Sequence, residues 1–324
     1  MTGKPLVSIV IPVWNEEDTI PTLIERLQKL SSESSFRFDC ILVNDGSSDR
    51  TQEKLLELLP RLPRWRIVKL SRNFGQQAAY RAGLDQADGD AVVFLDADLQ
   101  DPPEVIPEMI EVWQRGSKVV VARRRSRPER GLRGFLMRRF HDVFHAMTGG
   151  LMPKHSGTFG LMDRTVAGAI RAMPELNLFL PALRSWVGYP CGYVWYDRAE
   201  RKGKPKQTLS KLFNYGWDGI LSFSELPLKT ISWIGVVTSL FGFGYAGVLI
   251  VIKISQLFGY FADFIVPGFT TLAVAVLCVG GLQLISLGVV GQYIARIYRE
   301  VKQRPLYLTE EIVGSPAKDE SRGV

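Results

Sequence analysis

Phe94-Leu95-Asp96-Ala97-Asp98-Leu99-Gln100-Asp101-Pro102-Pro103 puts two carboxylates two positions apart at the end of an apolar run. Successive side chains of a strand point to opposite faces, so Asp96 and Asp98 share one side and Ala97 faces away. Two carboxylates so placed can hold a hard cation, Mg2+ or Mn2+, while diphosphate oxygens complete its shell. A bare Asp-x-Asp occurs by chance about once in a chain of this length, so its meaning rests on its position at a strand end. Three more polar clusters follow apolar runs: Trp14-Asn15-Glu16, Asn44-Asp45-Gly46-Ser47-Ser48-Asp49 and Arg72-Asn73. The second has the residues of a simple turn with a helix cap, and Asp45 is equally able to accept hydrogen bonds from a nucleobase or ribose. Beside the other strand-end clusters, the binding reading is preferred.

The elements that must position these groups alternate in kind. Strands are expected over Leu6–Ile11, Cys40–Val43, Ile67–Leu70, Ala91–Leu95 and Lys118–Ala122. Between them the spacing predicts helices over Thr19–Leu30, Ser48–Leu59 (capped by Ser47 or Ser48), Gly75–Ala87 and Pro103–Arg115. This alternation argues for a parallel, doubly wound α/β sheet, whose ligands bind beyond the carboxyl ends of the strands. All four polar clusters lie there.

A mean hydropathy of +0.04 conceals two parts. Up to about Arg201 strand-like runs alternate with polar segments, whereas Ile231 to Ala295 is almost free of charge. Ile231–Ile252 is about 22 uncharged residues, enough to cross a hydrocarbon core, and 269–291 is a second candidate span. Leu209, Leu212, Phe213, Trp217, Ile220, Leu221 and Phe223 recur at helical spacing just before, as in a helix lying in the headgroup layer. The short apolar run of the N-terminus stops at Pro12, so it reads as a first strand and not as a signal peptide. Arg296, Arg299, Lys302 and Arg304 follow the second span, so the catalytic part and both termini are expected on the cytoplasmic side. The domains expected are therefore 1–200 catalytic, 201–229 juxtamembrane, 230–295 a two-span hairpin, and 296–324 a cytoplasmic tail disordered from Ser315.

The net charge of +7 admits nucleic acid, an anionic membrane or phosphorylated substrates as partners. The arginines at 123–139 lack the repeated aromatic interleaving that a nucleic-acid platform requires. Cys40, Cys191 and Cys278 are too scattered for a disulfide framework or a zinc site. Gly242-Phe243-Gly244-Tyr245-Ala246-Gly247 matches a dinucleotide fingerprint by letter, but inside a span it reads as close helix packing. His141 and His145 lack a third metal ligand. No GxSxG elbow or Walker A loop is present.

Taken in order, these residues resemble glycosyltransferase family 2, most closely its polyisoprenyl-phosphate branch of bactoprenol glucosyltransferases and dolichol-phosphate mannose synthases. The resemblance runs from Val7 to Tyr307 and also includes Leu70-Ser71-Arg72-Asn73-Phe74-Gly75 and Gly160-Leu161-Met162-Asp163-Arg164. It implies a GT-A (Rossmann-like) catalytic domain with juxtamembrane amphipathic helices and a two-helix transmembrane hairpin. It also implies a divalent metal, an inverting hexosyl transfer and a homo-oligomer, a tetramer, in the cell inner membrane. By resemblance Pro12, Trp14, Glu16, Asp45 and Asn73 surround the nucleoside. Asp96, Ala97, Asp98 and Gln100 surround metal and diphosphate, the metal ligands being Asp96, Asp98 and Gln100. Arg124 lies near the phosphates, and Arg198, Arg201 and Lys206 belong to a segment over the donor. The expected donor is a nucleotide sugar, UDP-glucose first, and the acceptor a polyprenyl phosphate such as undecaprenyl phosphate.

Two departures matter. Related enzymes often have Gly-Asp-Phe where this chain has Gly157-Thr158-Phe159, so a carboxylate proposed there as base is missing. The Gly-x-Ser-Lys-Tyr stretch is altered to Gly203-Lys204-Pro205-Lys206-Gln207. Two rival readings stand beside the transferase. A polysaccharide synthase would want more spans and a Gln-x-x-Arg-Trp motif, of which Leu183-Arg184-Ser185-Trp186 is a poor echo. A non-catalytic nucleotide- or lipid-binding homologue would not need Asp96, Asp98 and Arg201.

Overall fold

A central strand must bury both faces, and β1 (Leu6–Val13) is buried at every position. It pairs in parallel with β2 (Arg37–Asn44) on one side and β4 (Ala91–Phe94) on the other, and β2 pairs in parallel with β3 (Trp65–Leu70). Pro12 is tolerated in β1 because the ladder with β4 has ended at the Val10–Phe94 pair. The computed structural model describes residues 4–125, 156–175, 179–197, 225–258, 260 and 268–314. Arg198, Arg201, Lys206, His141, His145, residues 208–224 of the helix expected over 208–226 and the tail from Ser315 lie outside them.

Helices α1 (Ile20–Glu33), α2 (Thr51–Leu58), α3 (Gln76–Asp85) and α4 (Ile106–Gln114) connect the strands. In α1 the buried residues are Ile20, Leu23, Ile24, Leu27 and Leu30, the stripe that lets one helix face cover a sheet. Beyond β5 (Val119–Arg124) come β6 (Ser156–Asp163), α5 (Arg164–Arg171), α6 (Leu180–Trp186) and β7 (Cys191–Tyr196). The sheet has eight strands in the order β7-β5-β6-β4-β1-β2-β3-β8, where β8 is Thr309–Val313.

The sheet is mixed, which corrects the expectation of an all-parallel one. β6 runs antiparallel between β4 and β5, and β8 antiparallel to β3. The antiparallel insertion brings the start of β6, Gly157 and Thr158, to the carboxyl ends of β4 and β5. A strand end that also carries Arg124 is thus built into the same rim as Asp96.

Asp163 ends β6 and caps α5. Its carboxylate accepts from Thr165 N–H (2.9 Å), Trp113 Nε1 (2.9 Å) and Lys118 Nζ (3.0 Å). Burial works against its charge, yet these three donors hold it at about 2. The folded value lies below the unfolded one, so the stabilisation is present above about pH 4 and lost as pH falls through 2. Asp163→Ala is expected to cost about 2 kcal/mol at neutral pH, with the deficit closing in acid; thermal unfolding of both proteins across pH checks it.

The described residues up to 197 and from 304 onward belong to one compact unit, and those from 225 to 303 to another. The second holds α7 (Leu226–Leu257) and α8 (Gly268–Val301). Both helices are long and apolar enough to cross a membrane, with 18-residue stretches of mean hydropathy 2.0 and 2.2. Large side chains such as Phe241, Phe243, Leu277 and Leu284 are exposed along them, a surface that requires an apolar surrounding. Both run past the spans expected at 231–252 and 269–291, because helical geometry continues into their polar ends. The glycines at 242, 244 and 247 lie inside α7 with no strand before them, and a Cβ there would meet nothing among the described residues. Among the described residues, none packs against these glycines.

After α8 the chain returns to the first unit. Ser71 N–H bonds Leu308 O (2.9 Å), Lys69 Nζ pairs with Glu310 (2.6 Å), and Tyr307 Oη donates to Asp85 (2.8 Å).

Candidate active site

The loops after β1 and β2 are tied together by side chains. Asn15 N–H donates to Ser47 Oγ (3.0 Å), and Asn15 Oδ1 accepts from Ser48 N–H (2.8 Å). Asn15 holds φ of 52° to do so, a left-handed conformation that Asn tolerates better than most residues. Ser47 is thereby occupied. α2 begins instead at Thr51, after Arg50, with no side-chain cap, which corrects the serine cap expected from the sequence.

Gly46 has φ of 62°, and a Cβ there would stand 2.4 Å from the carbonyl carbon of Arg72. Only glycine lets the loops after β2 and β3 come that close. Asp45 fastens them: its two oxygens accept from Phe74 N–H (2.7 Å) and Gly75 N–H (3.0 Å). Burial raises its carboxyl above the usual range although both bonds favour the charge. Asp45 is thus anchored by backbone, and a carboxylate's remaining lone pairs can still take a ligand's donors. Trp14, after β1, is 47% exposed, and Asn73, after β3, is exposed as well. Glu16 Oε2 accepts from Thr19 Oγ1 at 3.0 Å.

Gly75 precedes α3, whose first turn therefore joins Asp45 to the acidic pair. Asp96 Oδ1 accepts from Gln76 Nε2 (2.6 Å) and Tyr80 Oη (2.5 Å). Burial drives the Asp96 carboxyl up to about 6; Asp101 and Asp98 push the same way, while Tyr80 and Arg124 oppose. Asp98 Oδ1 accepts Gln100 N–H at 3.1 Å, closing a turn in which Leu99 adopts φ of 59°. Such a conformation is strained for a bulky residue and is a feature of functional loops.

Among the described residues no group of three or more His, Cys, Asp or Glu side chains can by itself hold a metal ion. Two carboxylates and the Gln100 amide oxygen would make an all-oxygen set suited to Mg2+ or Mn2+, provided a ligand's oxygens supply the rest. A carboxyl that keeps its proton up to about pH 6 is one that a nearby cation would ionise.

Arg124 reaches the same place from β5. Its Nε donates to Tyr196 Oη (3.1 Å), Tyr196 Oη donates to Asp101 Oδ1 (2.5 Å), and Arg124 Nη2 lies 3.9 Å from Asp101. Burial opposes the Arg124 charge, but Asp101 and Tyr196 raise its pKa. Asp98 and Arg124 both come within electrostatic reach of Asp96, and Gln100 closes the Asp98 turn; Trp14, Glu16, Asp45 and Asn73 lie in the neighbouring loops, while Pro12 is buried in β1. Sequence reading missed Gln76, Tyr80 and Tyr196 and gave Asp101 no role. Gln76 and Tyr80 stand four apart just after the Gly75 that ends a motif, the one signal that was available.

A model of glycosyl transferase family 2 matches residues 8–171. An uncharacterized glycosyltransferase of Synechocystis sp. is 44% identical over 310 residues, covering 95% of this chain and 96% of that protein. A prophage bactoprenol glucosyl transferase homolog of Escherichia coli is 38% identical over 308 residues, covering 94% and 99%. The bactoprenol glucosyl transferase of Shigella phage SfII is 38% identical over 307 residues, covering 94% and 97%. The mixed sheet, its acidic strand end and these matches agree: this is a GT-A fold, and the chain belongs to glycosyltransferase family 2.

Proposed function

We propose that the chain transfers a hexose, glucose in the first instance, from a UDP-sugar to a polyprenyl phosphate at the cytoplasmic membrane face, with inversion. The observation that carries this reading is the rim where Asp96, Asp98, Gln100 and Arg124 meet. Relatives named for bactoprenol glucosyl transfer match almost end to end, and supply the lipid acceptor of the proposal.

The connectivity supports the topology. The chain leaves the catalytic sheet after β7, passes through two apolar helices and re-enters the same sheet as β8. If both helices span, their outer ends lie on one side of the membrane. Arg296, Arg299, Lys302 and Arg304 make that side cytoplasmic. The tetramer implied by the family resemblance remains part of the proposal.

In the reaction an acceptor phosphate oxygen bonds to the anomeric carbon from the face opposite the nucleotide. The bond from that carbon to the diphosphate breaks, and its electron pair leaves with UDP. A phosphate monoester has a second pKa near 6, so the nucleophile is largely dianionic at neutral pH and Thr158 need not be a base. Pro12, Trp14, Glu16, Asp45 and Asn73 hold the nucleoside, and Arg124, braced by Tyr196 and Asp101, faces the departing phosphates. Mg2+ or Mn2+, bound by Asp96, Asp98 and Gln100, would neutralise charge growing on the diphosphate. Arg198, Arg201 and Lys206 complete the donor side in this scheme.

The full-length enzyme in nanodiscs, screened with labelled nucleotide sugars against undecaprenyl phosphate, tests the reading. UDP-glucose is expected to give labelled glycolipid, and EDTA to abolish it until Mg2+ or Mn2+ is restored. Label found only in free sugar would remove the lipid acceptor, and full activity in EDTA would remove the metal.

A further inference from the structure

The face of the sheet that carries Asp96 also carries a cationic cluster that the scheme above leaves unused. Gly160 of β6 stands opposite Phe94 of β4, and a Cβ at Gly160 would lie 2.4 Å from Arg184 Nη1. Side chains two residues apart share a face, so Thr158 and Asp96 belong to this side together with Arg184. Arg184, on α6, is only 3% exposed. Its Nη1 donates to Thr158 O (3.3 Å) and its Nη2 to Gly157 O (3.0 Å), while its Nε is buried with no partner.

On the adjoining β5, Arg123 lies 3.5 Å over the Tyr193 ring and 5.7 Å from that of Trp195, and its Nε is also buried and unpartnered. Tyr193 connects the two arginines, for it is also within electrostatic reach of Arg184. Neither guanidinium has a carboxylate partner among the described residues. Two other arginines in the sheet do: Arg66 pairs with Asp39 at 2.6 Å, and Arg124 lies beside Asp101. Burial depresses Arg184 to about 10, offset only in part by Cys191 and Tyr193. A buried, unpaired cation costs several kcal/mol, and a bound anion would relieve it. Tyr193 and Trp195 are 41% and 47% exposed, so the cluster is open to a ligand.

We propose that Arg123 and Tyr193 bind the phosphate monoester of the acceptor, and that Arg184, behind the Gly157–Thr158 peptide, is a positioning residue that supplies uncompensated positive charge. The proposal rests on the transfer reading and adds to it the place where the acceptor headgroup sits. It also gives Thr158 a consequence. A neutral hydroxyl there leaves the charge of Arg184 intact, whereas a carboxylate would quench it.

The test uses full-length enzyme in nanodiscs, with acceptor titrated at saturating donor. Thr158→Asp and Arg123→Gln are each expected to raise the acceptor KM about tenfold or more, the effect of losing one charge-assisted contact. The donor Kd should stay within about twofold, and Arg123→Lys should recover most of the acceptor affinity. Inorganic phosphate should compete with the acceptor on the wild type and compete more weakly on both variants. Thr158→Asp should melt no lower than the wild type, because its acid gains Arg184 as partner, and this separates lost binding from lost folding. An unchanged acceptor KM or a faster turnover in Thr158→Asp would overturn the proposal. If the wild type makes no glycolipid, the transfer reading fails alone. Calorimetric titration of inorganic phosphate then decides: weaker binding by Arg123→Gln than by the wild type sustains the subsite, and equal binding overturns it.

Discussion

Asp98→Asn should lower glycolipid formation at least about a hundredfold, while Thr158→Ala keeps a sizeable fraction of it. The two positions lie on neighbouring strand ends, but the proposed chemistry asks different things of them. In that scheme Asp98 contributes charge to the diphosphate side, and its Oδ1 fixes the turn through Gln100 N–H. Asparagine preserves that acceptor oxygen and the turn, so the loss would report on the carboxylate's charge. Thr158 offers neither acid nor base, and its contact with Arg184 is through its backbone carbonyl, which alanine retains. Initial rates with labelled UDP-sugar and polyprenyl phosphate measure both variants. Equal losses would mean that position 158 shares the chemistry, and the scheme would have to be redrawn.

Asp96→Asn should combine a comparable loss of transfer with a gain in stability. The half-buried carboxyl is pushed up to about 6 in the folded protein against an ordinary 3.8. A folded value above the unfolded one means that the native state holds the proton more tightly. Stability from this group is therefore full below about pH 4, declines as pH rises through 6, and is flat above. At pH 7.5 without metal the ionised carboxylate costs on the order of 2 kcal/mol. Asparagine removes that cost and keeps an oxygen for Gln76 and Tyr80. In EDTA the variant should melt several degrees higher than the wild type at pH 7.5 and no higher at pH 4. Saturating Mg2+ should narrow the gap at pH 7.5 by stabilising only the wild type. A variant that melts lower at pH 7.5 in EDTA would show that the charge at Asp96 is not the unfavourable one.

Local pattern was enough for the first half of the sheet. β1 to β5 are apolar runs, and α1 carries its buried stripe at helical spacing, so each element declares itself from its own residues. The later strands do not. β6 opens with Ser156-Gly157-Thr158, β7 exposes Tyr193 and Trp195, and β8 exposes four of its five residues. Such segments are held by partners distant in the chain; Lys69 meets Glu310 only because the chain returns after the two apolar helices. The all-parallel expectation failed at the same point, since no short-range rule signals that β6 enters between β4 and β5 in reverse.

The sequence by itself determined that an acidic pair ends a buried strand, that two long apolar segments follow, and that the strand-end clusters fall on one rim. Those properties depend on residue type and on spacings of two to four positions. Tertiary structure alone decided what surrounds each charge: Tyr80 and Gln76 on Asp96, Tyr196 and Asp101 beside Arg124, and, among the described residues, no carboxylate for Arg184. Ionisation depends on burial and on charges within a few ångströms, and those neighbours come from segments up to about a hundred residues apart, brought together only when the sheet closes.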